Sequence, residues 1–176
     1  MTHLLINGHT YHPQLVVFDK DGTLVDFQQL WGQRSAAALA AATQALGGTP
    51  AAAQALRDGL GLTTDGQVVA ESVLAVGTMD ELYTAVRHAI INLGRPADTA
   101  ESILRDTILP HYLAPIQSHE IQPRGPVKQL LQTLRHANIH VAVLTSDNRQ
   151  PTLESLDHLG ITDLVEAVVA GDDHRR

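Results

Sequence analysis

The chain has 176 residues and a mass of 18.9 kDa, with 44% hydrophobic and 18% charged residues, the balance of a globular protein. Nineteen acidic against 12 basic residues leave a net charge of −7, which repels phosphodiester backbones and speaks against a general nucleic-acid binder. The absence of cysteine excludes disulfides, thiolate zinc sites, iron–sulfur clusters and cysteine nucleophiles.

The first dozen residues lack the basic start and apolar run of a signal peptide. The most apolar small-residue stretch, Ala36 to Ala42, is far shorter than the ~20 residues of a membrane span. The expectation is a soluble, cytoplasmic protein with no membrane partner.

In chain order, Asn7-Gly8 between Leu4-Leu5-Ile6 and His9-Thr10-Tyr11 predicts a tight hairpin. Leu15-Val16-Val17-Phe18 is a continuous apolar run that suits a strand buried on both faces of a parallel sheet. From Phe27 to Gln117 the pattern is helical. Gln28 to Leu46 stops at Gly47-Gly48, and Thr49-Pro50 opens a helix to Leu60 as N-cap and first position. Thr78-Met79-Asp80-Glu81 reads as a capping box for a helix to Leu93, and Asp98 or Thr99 opens another that stops near Leu109, before Pro110.

Beyond Pro123 the rhythm changes again. Val127 to Ala137 carries Val127, Leu130, Leu131 and Leu134 at helical spacing, and Ile139 to Leu144 is a β-branched run ending at Thr145-Ser146-Asp147-Asn148. Pro151 to Leu159 is helical, and Leu164 to Ala170 is a third strand ending at Gly171-Asp172-Asp173. The fold class is α/β: residues 1–26 and 118–176 form a core with a parallel sheet, and residues 27–117 form an inserted helical domain.

The chemistry concentrates in Asp19-Lys20-Asp21-Gly22-Thr23, at the carboxyl end of the first core strand, where open α/β sheets place their ligands. Two carboxylates this close repel unless one is ionised on a metal and the other carries a proton. Asp19 at the strand tip suits a nucleophile on phosphorus, and Asp21 an acid that protonates the leaving oxygen and later activates water. Gly22 lets the backbone approach a phosphate, and the Thr23 hydroxyl can bond back to hold the loop. Asp-x-Asp-Gly also occurs in calcium loops and plain turns, but apolar Leu24-Val25 breaks the alternating oxygen ligands that calcium needs.

The run from Leu15 to Asp26 resembles the first signature of the haloacid dehalogenase (HAD) superfamily, and Val141 to Ser146 resembles the second. The resemblance implies a Rossmann-like HAD core whose helical cap, inserted after the first motif, closes over the site and selects the substrate. It also implies a phosphatase of small phosphorylated metabolites, with phosphoglycolate-phosphatase-type enzymes the most similar members. By that resemblance Asp19 is the phosphoaspartate-forming nucleophile and Asp21 the general acid/base. Mg2+ touches the Asp19 carboxylate and the Asp21 carbonyl, while Gly22, Thr23, Thr145 and Ser146 bind the phosphate.

Two family pieces have no counterpart. Lys20 and Lys128 are the only lysines, and neither follows the third strand. Gly171-Asp172-Asp173 matches the stretch that precedes the family's Lys motif, so the chain is read as ending before that Lys with an incomplete parallel sheet; Asp172 or Asp173 as a substitute metal ligand is the lesser reading. An open sheet edge then favours a homo-oligomer. The alternative to a working hydrolase is an incomplete fragment that binds phosphate or a partner chain without turnover. The ten histidines are read as incidental, Arg34 as a solvated residue rather than a substrate contact, and Asp147 and Asn148 as caps of the following turn.

Overall fold

A computed structural model describes residues 3–173. The chain divides into two compact units, Met1–Phe27 with Pro115–Arg176, and Gln28–Ala114. Composition put the second junction after Gln117; it falls earlier because Ile116 belongs to the first unit. Ile116 is buried, its N–H donates to Glu154, and its carbonyl bonds His158 Nε2.

The first unit opens with strands β1 (Leu4–Ile6) and β2 (His9–Tyr11), paired antiparallel. Asn7 and Gly8 both have positive φ, 50° and 80°, the backbone that a two-residue hairpin turn requires. Strands β3 (Leu15–Phe18), β4 (His140–Leu144) and β5 (Ala167–Val169) form a parallel sheet in the order β3-β4-β5. Helices α7 (Val127–His136) and α8 (Arg149–His158) precede and follow β4. Val127, Leu131 and Leu134 of α7 pack with Val141 and Val143 of β4, Leu156 of α8 and Ile161. Leu130 does not belong to that stripe and is 46% exposed.

The expectation that β3 is buried on both faces fails. Val16 and Phe18 pack on the core, whereas Leu15 and Val17 are each 50% exposed. Leu144 and Val169 of the neighbouring strands are likewise exposed, so one face of the sheet is covered and the other is open. Among the described residues β3 pairs only with β4 and forms an edge. The third strand is also shorter than its apolar run, because Thr162–Leu164 is a 3-10 turn.

The second unit is helical: α1 (Gln33–Ala45), α2 (Pro50–Leu60), α3 (Val73–Val76), α4 (Met79–Asn92), α5 (Ala97–Ile103) and α6 (Leu109–Leu113). The local signals work as the chemistry demands. Thr49 Oγ1 accepts the Ala52 N–H, and Thr78 and Glu81 close a reciprocal box at the start of α4. A π turn at Gln28–Gly32 leads into α1, with the Gln28 amide reaching across to Gly66 O and the Val68 N–H. A Cβ at Gly32 would lie 2.1 Å from Gln28 Nε2, so a side chain there would push the Gln28 amide out of that crossing.

Pro110 does not end its helix. A second π turn, Leu104–Ile108, restarts the register, and Pro110 falls in the first turn of α6, where a missing N–H is tolerated. Leu56, Leu60, Val86 and Ile90 are fully buried in this unit. Tyr112 stacks on Trp31, meets Tyr83 edge-on, and shares a 2.5 Å hydrogen bond with Ser35 Oγ. Arg34 is buried rather than solvated, and its guanidinium donates to Ala114 O at 2.9 Å. Among the described residues no helix is long and apolar enough to cross a membrane.

Candidate active site

The parallel register pairs Phe18 with Val143 and Leu144 with Val169, so the segments after β3, β4 and β5 leave the sheet at one end. Asp19 is exposed there, and the Thr23 hydroxyl donates to its Oδ2 at 3.4 Å. Gly22 has φ +82°, a conformation that costs a residue with a side chain ~1 kcal/mol or more. The turn is closed by the Lys20 carbonyl, which accepts from the N–H groups of Leu24 and Val25 at 2.9 and 3.0 Å, with Thr23 more distant at 3.3 Å.

The sequence pattern assigns Lys20 no role, and the structure puts it at the centre. Its side chain is completely buried, with Nζ 2.8 Å from Asp21 Oδ2, 2.9 Å from Asp21 Oδ1 and 2.8 Å from Asp147 Oδ2. Burial pulls this ammonium toward its neutral form, but the Asp21 and Asp147 carboxylates prevail and hold its pKa above the ordinary lysine value. Strand alternation carried the signal: Val16, Phe18 and then Lys20 lie on the side that faces the core.

Asp147 ties the three segments together. Its Oδ1 accepts from the Asn148 N–H at 2.7 Å, its carbonyl accepts from the Gly171 N–H at 2.8 Å, and its own N–H donates to Thr145 Oγ1 at 3.1 Å. Thr145 is buried at 7% exposure and Ser146 is exposed. Asn148 is the N-cap of α8 by position but makes no side-chain capping bond.

Asp172 and Asp173 are engaged by α8. The Arg149 N–H donates to Asp172 Oδ1 at 2.8 Å, which caps the helix in place of Asn148. The Arg149 guanidinium holds both oxygens of Asp173, and Asp173 Oδ2 also accepts the Ala170 N–H. Among the described residues no cluster of three metal-ligating side chains exists. The exposed Asp19 carboxylate is an oxygen donor of the kind a hard cation takes. Mg2+ takes one or two carboxylates and completes its shell with water and substrate phosphate, so a single exposed carboxylate is compatible with it.

A sequence model of the haloacid dehalogenase-like hydrolases matches residues 13–176, and the chain belongs to that family. Among solved structures it is similar to a Thermotoga maritima protein provisionally assigned as a beta-phosphoglucomutase, at 18% identity and a TM-score of 0.53. It is also similar to a haloacid dehalogenase-like family hydrolase from Xanthomonas campestris, at 17% identity and a TM-score of 0.51. The likeness covers 93% and 90% of this chain but 63% and 62% of those proteins, so the chain spans less than two thirds of their length. No curated protein matches it. At such identities the structures establish the shared α/β fold; the family match establishes a hydrolase-type domain.

Proposed function

We propose that the chain carries the catalytic half-site of a phosphomonoester hydrolase acting on a small soluble phosphate. The observation that carries this reading is an exposed carboxylate, Asp19, at a parallel strand tip. A second carboxylate, Asp21, lies two residues on, and a buried hydroxyl, Thr145, leaves the adjacent strand at the same end. An Asp19 oxygen attacks phosphorus and the P–O ester bond breaks, giving a phosphoaspartate, while the leaving oxygen takes a proton from Asp21. Water then attacks phosphorus, Asp21 takes its proton, and release of phosphate restores both carboxyl groups. A second acid beside the nucleophile is what an alcohol leaving group needs and a departing halide does not, which favours phosphate esters over haloacids.

The Thr145 hydroxyl and the Ser146 N–H are the groups that would hold phosphate oxygens, with Gly22 and Thr23 shaping the opposite loop. Mg2+, held by Asp19 and the Asp21 carbonyl, would neutralise charge on the transferring group. A second reading, phosphate binding without turnover, is favoured by one observation: Asp172 and Asp173 are occupied by Arg149, which leaves the cation a sparse ligand set. The test is Mg2+-dependent hydrolysis of 4-nitrophenyl phosphate by the chain and its Asp19→Asn variant. Turnover that disappears in the variant supports the hydrolase; binding of inorganic phosphate with no turnover in either protein supports the second reading.

A further inference from the structure

Lys20 is an expensive residue to bury. Removing an ammonium from water is costly, and apolar residues commonly replace a buried ion cluster with no loss of stability. Stability alone therefore gives little reason for a lysine between two carboxylates. With its side chain at 0% exposure, the ammonium also has no access to a substrate. Its effect must pass through the groups it touches.

Those groups belong to the two segments that carry the proposed chemistry. Lys20 is anchored by its own carbonyl, which closes the turn after β3. Asp147 is anchored on the other side through Asn148, Gly171 and Thr145. Between these fixed points the ammonium lies within 2.9 Å of both carboxylate oxygens of Asp21. We propose that Lys20 is a positioning residue, which, braced by Asp147, holds the Asp21 carboxyl group in place and keeps it in register with the Thr145 segment. This role rests on the phosphomonoesterase reading and adds to it a residue, Lys20, and a partner, Asp147, to which that reading gives no part.

The experiment is a leaving-group series. kcat/KM is measured with Mg2+ for 2,4-dinitrophenyl, 4-nitrophenyl, phenyl and alkyl phosphates, using the full chain and its Lys20→Met and Asp147→Asn variants. kcat/KM reports the steps up to transfer of phosphorus to Asp19, and only poor leaving groups need a proton in that step. Loss of a well-placed acid costs ~100-fold or more. Lys20→Met is expected to lose about that factor on phenyl and alkyl esters and only a few-fold on the dinitrophenyl ester.

Asp147→Asn keeps the cation and is expected to steepen the series in the same direction by less; it carries the test if Lys20→Met does not fold. Equal losses across the series, the signature of general structural damage, overturn the role. A wild-type chain that hydrolyses none of the esters, indistinguishable from Asp19→Asn, overturns the hydrolase reading and this role with it. A leaving-group dependence in Asp21→Asn at least as steep as in Lys20→Met is the control that identifies Asp21 as the acid.

Discussion

Gly171→Ala puts one methyl group where two chain segments meet. A Cβ built there would lie 2.1 Å from Ser146 O, 2.8 Å from Ser146 C and 3.4 Å from Asp147 O. All three are backbone atoms, so no side chain can rotate away. Either the β5 segment or the Ser146 segment must move by more than an ångström. Overpacking of this kind costs about 1–3 kcal/mol, and loss of the 2.8 Å bond from the Gly171 N–H to Asp147 O adds about 1 kcal/mol. The expected destabilisation is therefore ~2–4 kcal/mol, read as a lower urea midpoint with an unchanged m-value. Gly125→Ala is the contrast: it has φ +88° and open space around a Cβ, so it carries only the backbone penalty of ~1 kcal/mol. A Gly171→Ala midpoint equal to wild type, or shifted no more than that of Gly125→Ala, would refute the reasoning. A functional consequence accompanies the structural one, because the displaced segment carries Thr145 and Ser146: inorganic phosphate should bind more weakly to the folded variant.

Two further outcomes follow from burial. Tyr112→Phe leaves Ser35 Oγ buried without its 2.5 Å partner and should cost about 1–3 kcal/mol at neutral pH. Burial, partly offset by the Ser35 bond, raises the Tyr112 pKa far above 10; the unfolded chain releases this proton as pH passes 10 while the folded chain keeps it. That contribution to stability is full below pH 10 and is lost as pH rises beyond it, so urea titrations of wild type should show a steeper alkaline decline than those of Tyr112→Phe. The open sheet face, with Leu15, Val17, Leu144 and Val169 exposed, should drive self-association in light scattering as concentration rises, and Leu15→Lys should reduce it. A wild-type chain that stays monomeric at high concentration would contradict this.

What the sequence determined by itself is what short-range geometry decides. The Asn7-Gly8 turn, the Thr49 cap and the Thr78–Glu81 box are settled within four residues, because each is a bond between neighbours in the chain. The apolar runs placed the three parallel strands, and their ends located Asp19 and Thr145. Tertiary structure decided the rest. Whether Leu15 and Val17 are covered depends on what packs on the sheet, and an apolar run reads the same with one face buried or two. That Lys20 meets Asp147, 127 positions away, and that Arg149 takes up Asp172 and Asp173, depends on β3, β4 and β5 ending at one edge of the sheet. A charged side chain has no periodicity of its own; its partner is chosen by the fold that removes it from water.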